Sequence, residues 1–289
     1  MMVRKSVRYA WVVVVWALSV PPAPAEPAPG RGPYRVAERS SPTPSPPAIQ
    51  ITPAQPNEHP LMPALRWAYE GKRRLEQIRD YTAVMAKRER IDGTIGPYEY
   101  MFVKIRQRPF SVYLCFLDPP SLKGQEVIYV AGQNDGKMWA HGVGVRRIFG
   151  TVSLDPNGLI AMRGNHYPIT EIGISNLVHR LIEVGERDAQ YGECEVKFIP
   201  GAKVNGRQCT CLQVVHPVPR RNFLFHLARI YADDELQVPL RYEAHDWPRT
   251  PGGEPELMEE YTYQNLKLNV GLTDRDFDIR NPEYGFQAR

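Results

Sequence analysis

The stretch Tyr98–Ile105 reads YEYMFVKI and is apolar on both faces of the β-strand that it predicts. Three further stretches share this property: Val112–Leu117 (VYLCFL), Val127–Val130 (VIYV) and Lys137–Ala140 (KMWA). An antiparallel sheet normally turns one face to the core and the other to water. A sheet that is apolar on both faces must be covered on both, by helices, by a second layer or by a bound apolar molecule. The sequence therefore predicts a curved β-sheet protein with an apolar interior.

Helical periodicity flanks these strands. Apolar residues recur at helical spacing over Leu61–Arg79 and again over Ile174–Val184, which predicts two amphipathic helices. Strand patterns with hairpin turns return after the second helix, from Cys194 to Leu268. The order helix, strands, helices and more strands is typical of an α+β fold, with helices segregated to one side of an antiparallel sheet.

The N-terminus has the layout of an export signal. Basic residues precede an apolar run from Ala10 to Val20, and Ala23-Pro24-Ala25 then provides an A-x-A cleavage site. The apolar run is shorter than the ~20 residues that a membrane-spanning helix needs. We therefore predict a signal peptide over residues 1–25, the alternative being an uncleaved N-terminal anchor. Cleavage would leave no transmembrane segment and an exported protein, periplasmic or extracellular.

Residues 26–60 are rich in proline and poor in apolar side chains. Such a segment buries too little surface to offset its ordering entropy, so we predict a disordered linker followed by one domain over residues 61–289. The chain has 36 Lys and Arg against 32 Asp and Glu, and signal cleavage would bring it close to neutrality. Nucleic-acid binding, which usually needs a dense basic patch, is not indicated.

Several strings resemble a secreted bacterial family catalogued as a domain of unknown function, DUF1571. They are DYTAVMAKRER (Asp80–Arg90), IYVAGQNDGKMWAHG (Ile128–Gly142), DDELQVPLRYEAHDW (Asp233–Trp247) and EYTYQNLKLNVGLTDRDFD (Glu260–Asp278). More distantly, the layout and the string VPLRYE resemble the periplasmic lipoprotein carriers LolA and LolB. This resemblance implies a LolA-like incomplete β-barrel with helices packed on its concave face and an apolar cavity. It implies binding of something apolar and brings no catalytic residues.

Eight apolar residues are the candidates for a cavity lining. A one-residue shift swaps the faces of a strand, so the sequence does not set which face is concave. The alternative is that all eight pack against the Ile174–Val184 helix and leave no cavity. The candidate ligand-binding residues are Phe102, Leu114, Phe116, Tyr129, Trp139, Phe225, Leu227 and Tyr242.

The four cysteines suggest one disulfide, because an exported protein meets an oxidising compartment. Cys194 precedes the predicted Asn205-Gly206 turn, and Cys209 and Cys211 follow it on one strand face. We therefore expect Cys194 to pair with Cys209 or Cys211, leaving Cys115 as a buried small hydrophobe.

No pattern specifies a metal, a cofactor or a nucleophile. The Asp274–Asp278 alternation lacks the glycine and glutamate of a calcium loop and is interpreted as a polar turn. Arg146-Arg147 lies in a glycine-rich loop where contact with anionic lipid or a partner is an alternative to a solvated tip. Four carboxylates could supply acid–base chemistry, but nothing in the sequence brings two together: Glu243, Asp246, Glu259 and Glu260.

Three functions remain open from the sequence. The first is an exported, non-enzymatic protein that binds or carries an apolar ligand, such as a lipid or a lipoprotein acyl chain. The second is a protein-interaction or envelope-stress sensor module with the same fold and no ligand cavity. The third is a hydrolase with an unrecognised site.

Overall fold

Strand pairing gathers most of the domain into one 12-stranded antiparallel sheet. The computed structural model describes residues 51–250 and 252–286, without the side chains of residues 145–147. The expected signal peptide and residues 26–50 of the expected linker lie outside the described residues. The predicted α+β class is confirmed, since a large curved sheet that does not close on itself is combined with a few helices.

In the described residues, three α-helices accompany the strands: α1 (Met62–Leu75), α2 (Leu159–Met162) and α3 (Ile174–Asp188). The strands are β1 (Asp80–Ile91), β2 (Thr94–Ile95), β3 (Glu99–Gln107), β4 (Phe110–Asp118), β5 (Glu126–Val130), β6 (Met138–His141), β7 (Thr151–Leu154), β8 (Glu195–Val204), β9 (Arg207–Val215), β10 (Leu227–Asp233), β11 (Pro239–Asp246) and β12 (Glu256–Leu268). Their order in the sheet is β7-β6-β5-β4-β3-β1-β12-β11-β10-β9-β8, with β2 paired to β1.

One face of the sheet, called the helix face here, packs against α1 and α3. Its core includes Leu75 of α1, Val178 and Ile182 of α3, and inward side chains such as Val103 and Leu240 of the sheet. Because side chains alternate along a strand, only every second residue of each strand contributes to this core. The helices therefore bury their apolar stripes against this face of the sheet.

The start of α3 is fixed to the sheet by a buried hydrogen bond. The backbone N–H of Ile174 donates to the hydroxyl of Tyr81 at 2.9 Å, and Tyr81 is 1% exposed. Gly173 precedes it with a φ of 113°, and a Cβ there would lie 2.9 Å from the Tyr81 hydroxyl oxygen. Glycine is therefore required at this approach of helix to sheet.

The opposite face of β3–β6, called the outer face here, is covered by the C-terminal segment, residues 269–286. Phe277 and Phe286 of this segment share a buried cluster with Tyr113, Ile128 and Val130. The ring of Tyr284 stacks on Tyr113 with centroids 4.1 Å apart. This cover explains why these strands are apolar on both faces.

Ion pairs hold the polar turn of the C-terminal segment on the sheet. Asp276 accepts a 2.7 Å bond from Lys104, and Asp274 accepts a 2.6 Å bond from Arg106, both on β3. Thr273 and Asp276 form a reciprocal capping box at the start of the turn. The Asp274–Asp278 alternation thus forms a turn in which Asp274 and Asp276 face basic residues of the sheet, whereas Asp278 pairs with Arg280 of the same segment.

The element boundaries differ from the sequence pattern in four places. Strand β7 was not predicted, because its short stretch follows a glycine-rich loop and lacks a long apolar run. Helix α1 ends at Leu75, and β10 begins only at Leu227, since residues 222–226 are irregular. Residues 51–60, the end of the predicted linker, contact the domain: Glu58 forms an ion pair with Arg66 of α1.

The expected disulfide is absent, and all four cysteines are free thiols. Cys194 directly precedes Glu195, which pairs with Val215 at one end of the β8–β9 hairpin, whereas Cys211 pairs with Ile199 well along it. At ~3.3 Å per residue, Cys194 lies ~16 Å along the strand from the level of Cys211, and further from Cys209. A disulfide needs Cα atoms within ~7 Å, so the expected pairing with either residue is wrong.

We expect four alkylated thiols when the unfolded protein is treated with iodoacetamide without reductant. Intact mass spectrometry before and after reduction measures this directly. A mass that reports fewer adducts before reduction than after it would contradict the free-thiol assignment.

Replacing Tyr81 with Phe should destabilise the fold, because the buried N–H of Ile174 loses its acceptor. The expected loss is about 1–3 kcal/mol in the free energy of unfolding, measured by urea titration. Tyr191→Phe is the control, since Tyr191 is 39% exposed and its change should stay within about 0.5 kcal/mol. Equal midpoints for both variants would show that the Tyr81 hydroxyl does not anchor α3.

Candidate functional site

A large cavity lies on the helix face, beside α3 and under the strap, defined as residues 155–173 between β7 and α3. Its volume is about 1430 Å³, larger than the ~300–1,000 Å³ of common small-molecule sites. Exposed residues such as Phe149 and Ile160 line it, so it opens to solvent there. Its apolar lining includes Met85, Met101, Leu114, Phe116, Val127, Met138, Ala140, Val152, Leu154, Leu177, Leu181, Tyr242 and Ala244.

Four of the eight predicted lining residues meet at this cavity: Leu114, Phe116, Phe225 and Tyr242. Tyr129 also packs against the helix-face core, with its ring 6.3 Å from that of Phe110, but it does not line the cavity.

The other three predicted lining residues are on the wrong face. Phe102 and Trp139 pack in the outer-face cluster under the C-terminal segment. Leu227 alternates with Ala228 and Ile230, which belong to the helix-face core, so it points to the outer face as well. The expectation that all eight share one face fails because aromatic character does not reveal the phase of a strand that is apolar on both sides.

Two buried glutamates face each other on the cavity wall. Glu89 of β1 and Glu259 of β12 are direct cross-strand partners, and they are 6% and 5% exposed. Like charges directly opposite on a sheet are destabilising unless cations or donors compensate them. The compensating groups define the polar cluster, which consists of Lys87, Glu89, Asn165, His166, Tyr167, Glu259 and Tyr261.

Each glutamate of the polar cluster receives several donors. Glu259 accepts from His166 Nδ1 at 2.7 Å, from the Tyr167 hydroxyl at 3.1 Å and from the Tyr261 hydroxyl at 3.3 Å. Glu89 accepts from Lys87 Nζ at 3.3 Å, from the backbone N–H of His166 at 3.2 Å and from Tyr261. Both carboxylates are thus engaged by donors within the protein, on a wall that is otherwise apolar.

The geometry makes His166 a cation. Its Nδ1 lies 2.7 Å from the Glu259 carboxylate, and its Nε2 lies 3.0 Å from the backbone carbonyl of Arg90. Two acceptors require two N–H donors, which only the imidazolium supplies. The hydrogen bond with Glu259 outweighs burial and raises the pKa of His166 to about 9.

The polar cluster also fixes the strap to the sheet. Asn165, His166 and Tyr167 are consecutive strap residues, and all three bond to side chains of β1 or β12. Asn165 accepts from Lys87, which also pairs with Glu99 of β3 at 3.2 Å. The strap is therefore bonded to the sheet at one short tip, residues 165–167. Ile169 and Ile172 of the strap also pack against the helix-face core, whereas Leu159 and Ile160 of α2 are exposed.

The sequence pointed to only part of this cluster. Glu259 is one of the four candidate carboxylates, but two of the others lie elsewhere: Glu243 and Glu260 both bond to Arg241 on the outer face. Its actual companion, Glu89, comes from a strand far away in sequence. His166 carried no motif, and only the β1–β12 register and the strap bring these groups together.

Within residues 51–250 and 252–286, no group of three His, Cys, Asp or Glu side chains has the arrangement of a metal site. None of the helices described is long and apolar enough to cross a membrane.

A family model described as "Protein of unknown function (DUF1571)" matches residues 78–286. The chain belongs to this family. The resemblance predicted from the sequence is thereby confirmed. No protein with a curated description matches the chain.

Solved structures with a similar fold come from several bacteria. The lipoprotein LppX of Mycobacterium tuberculosis shares 11% identity over 75% of this chain and 100% of that chain, with a TM-score of 0.42. LprF of Mycobacterium bovis shares 10% over 73% and 94%, with a TM-score of 0.39. A LolA superfamily protein of Nitrosomonas europaea shares 11% over 73% and 97%, with a TM-score of 0.28.

Stability should fall with rising pH through the His166–Glu259 pair. The folded state raises the pKa of His166 from 6.5 to about 9, so its stabilisation is complete below a pH of about 6.5 and is lost as the pH rises through about 9. We expect urea midpoints to drop over this window more steeply in the parent protein than in His166→Gln. If the urea midpoint falls with pH at the same slope in both proteins, the His166–Glu259 pair is not the source of the pH dependence.

Proposed function

We propose that the chain is an exported, non-enzymatic protein that binds or carries an apolar ligand, a lipid or a lipoprotein acyl chain, in the cavity. The observation that supports this proposal most directly is the size of the cavity together with its mainly apolar lining. Removing apolar surface from water is favourable by ~25 cal/mol per Å². An apolar ligand that replaces water in the cavity would therefore be bound by burial of its own surface and of the lining. A filled interaction module without a cavity would lack this driving force.

The polar cluster favours an amphiphile over a pure hydrocarbon. It occupies one part of a wall that is apolar elsewhere, and its charged groups are Lys87, His166, Glu89 and Glu259. A ligand with a polar end and an apolar chain would match both parts of the lining. Localisation in the periplasm or outside the cell is part of this proposal, and it rests on the signal-peptide pattern.

The hydrolase alternative would depend on the facing carboxylates, Glu89 and Glu259. Acid–base catalysis needs a carboxyl group that is free to exchange a proton with a substrate. Both glutamates are already bonded to His166, Tyr261 and neighbouring donors, which supports a structural role. Ester or glycoside turnover that disappears in both Glu89→Gln and Glu259→Gln, with the fold intact, would revive this alternative.

The proposal predicts that lipid accompanies the protein through purification. Native mass spectrometry should show a ligand-bound species, and organic extraction of the same sample should release an acyl-chain compound. Repeated absence of both, together with no uptake of a fluorescent fatty acid, would count against it.

A paired substitution on β4 tests the site of binding. Phe116 lines the cavity, whereas its neighbour Leu117 does not line it and is 40% exposed. Phe116→Glu should weaken binding of a fluorescent fatty acid by about tenfold or more, because a charge then faces the apolar chain. Leu117→Glu should leave the affinity unchanged. Equal affinities for the two variants would place the ligand outside the cavity.

A further inference from the structure

Four large apolar side chains in two short segments that border the cavity are unusually exposed. They form the rim, which consists of Ile148 and Phe149 in the turn before β7 and of Leu159 and Ile160 in α2. Their exposed fractions are 82%, 65%, 94% and 75%, whereas the other exposed large hydrophobic residues described stay at or below 47%. Isolated exposed apolar residues are ordinary, but a contiguous set marks an interaction site.

The rim is continuous with the cavity. Phe149 from one turn and Ile160 from the other both line the cavity, so both turns border it. An apolar molecule that enters or leaves there passes the rim before it meets water. The rim therefore borders the path that the proposed ligand would take, and this part of the inference rests on the proposed function.

The sequence around the rim is net basic. From residue 143 to the end of the strap at residue 173 it contains Arg146, Arg147 and Arg163 against Asp155 and Glu171. Asp155 accepts a hydrogen bond from the backbone N–H of Asn157 at 2.9 Å, which engages its carboxylate locally. A basic segment beside exposed apolar side chains is complementary to an anionic lipid surface.

We propose that the rim docks the protein on an anionic phospholipid bilayer, with the cavity mouth facing the acyl region. Protein interfaces bury their apolar anchors in pockets that match them in shape, within a surrounding ring of neutral contacts. The rim side chains instead project from two short turns. A fluid hydrocarbon phase accepts such side chains without a complementary surface. An apolar ligand would then move between bilayer and cavity without crossing water.

Vesicle flotation of the full chain tests the docking. The probes are vesicles of phosphatidylcholine alone and vesicles of equal parts phosphatidylcholine and phosphatidylglycerol. We expect binding to the anionic vesicles and a loss of about tenfold or more in Ile148→Ser/Phe149→Ser and in Leu159→Ser/Ile160→Ser, because several buried methylene groups are removed. All variants have the same N-terminal residues as the parent protein. Any contribution of these residues to vesicle binding therefore cancels when the binding of a variant is divided by that of the parent protein.

Two further variants separate the apolar and electrostatic parts. Val218→Ser/Val270→Ser is the matched control, since these residues are 47% and 43% exposed away from the rim, and it should bind like the parent protein. Arg146→Gln/Arg147→Gln should lose about fivefold per arginine on anionic vesicles only. Circular dichroism and urea midpoints equal to those of the parent protein show that each variant is folded.

The proposal is overturned if the parent protein does not float with anionic vesicles, or if the rim variants bind them as well as the control does. A rim-dependent complex with a protein or with a second copy of the chain, without vesicle binding, would overturn it too. Fatty-acid binding without vesicles is measured on the same variants. Rim-dependent flotation without fatty-acid binding would leave docking intact and reject the carrier function, and the reverse result would reject docking alone.

Discussion

Strands β3 to β6 bury apolar side chains on both faces, and this requires a cover on each side of the sheet. Helices α1 and α3 cover part of the helix face, and the C-terminal segment covers the outer face through Phe277 and Phe286. The helices do not fill the space above β4 to β7, where the cavity remains. The cavity is thus the part of the helix face that the chain itself leaves uncovered, and a ligand would complete the cover.

A second constraint acts inside the cavity, where two carboxylates lie opposite each other on neighbouring strands. The imidazolium of His166 and the ammonium of Lys87 balance this charge, and both groups also hold the strap tip. The like-charged pair therefore has a structural use: it creates the site to which the strap binds. Electrostatics and cavity shape are linked through the same few residues.

The sequence predicted the fold class and the coverage of both sheet faces because hydrophobic alternation and turn residues act locally. Half of the eight residues that it proposed for the lining, Leu114, Phe116, Phe225 and Tyr242, lie at the cavity, whereas Phe102, Trp139 and Leu227 lie on the other face. Strand phase depends on which partner covers which face, and that partner is remote in sequence. The expected disulfide is also wrong. The register of the β8–β9 hairpin, and not the spacing in the sequence, sets the distance between Cys194 and Cys211.

The sheet pairs the first of its strands in sequence with the last. Strand β1 pairs with β12, and the residues that seal the outer face of β3–β6 are among the final ones of the chain. A chain that has synthesised only its first half therefore has apolar strands without α3, β12 or the C-terminal segment, which cover or pair with them. Pairings of such long sequence separation slow folding. Stable folding is thus deferred until β12 and the C-terminal segment have been synthesised.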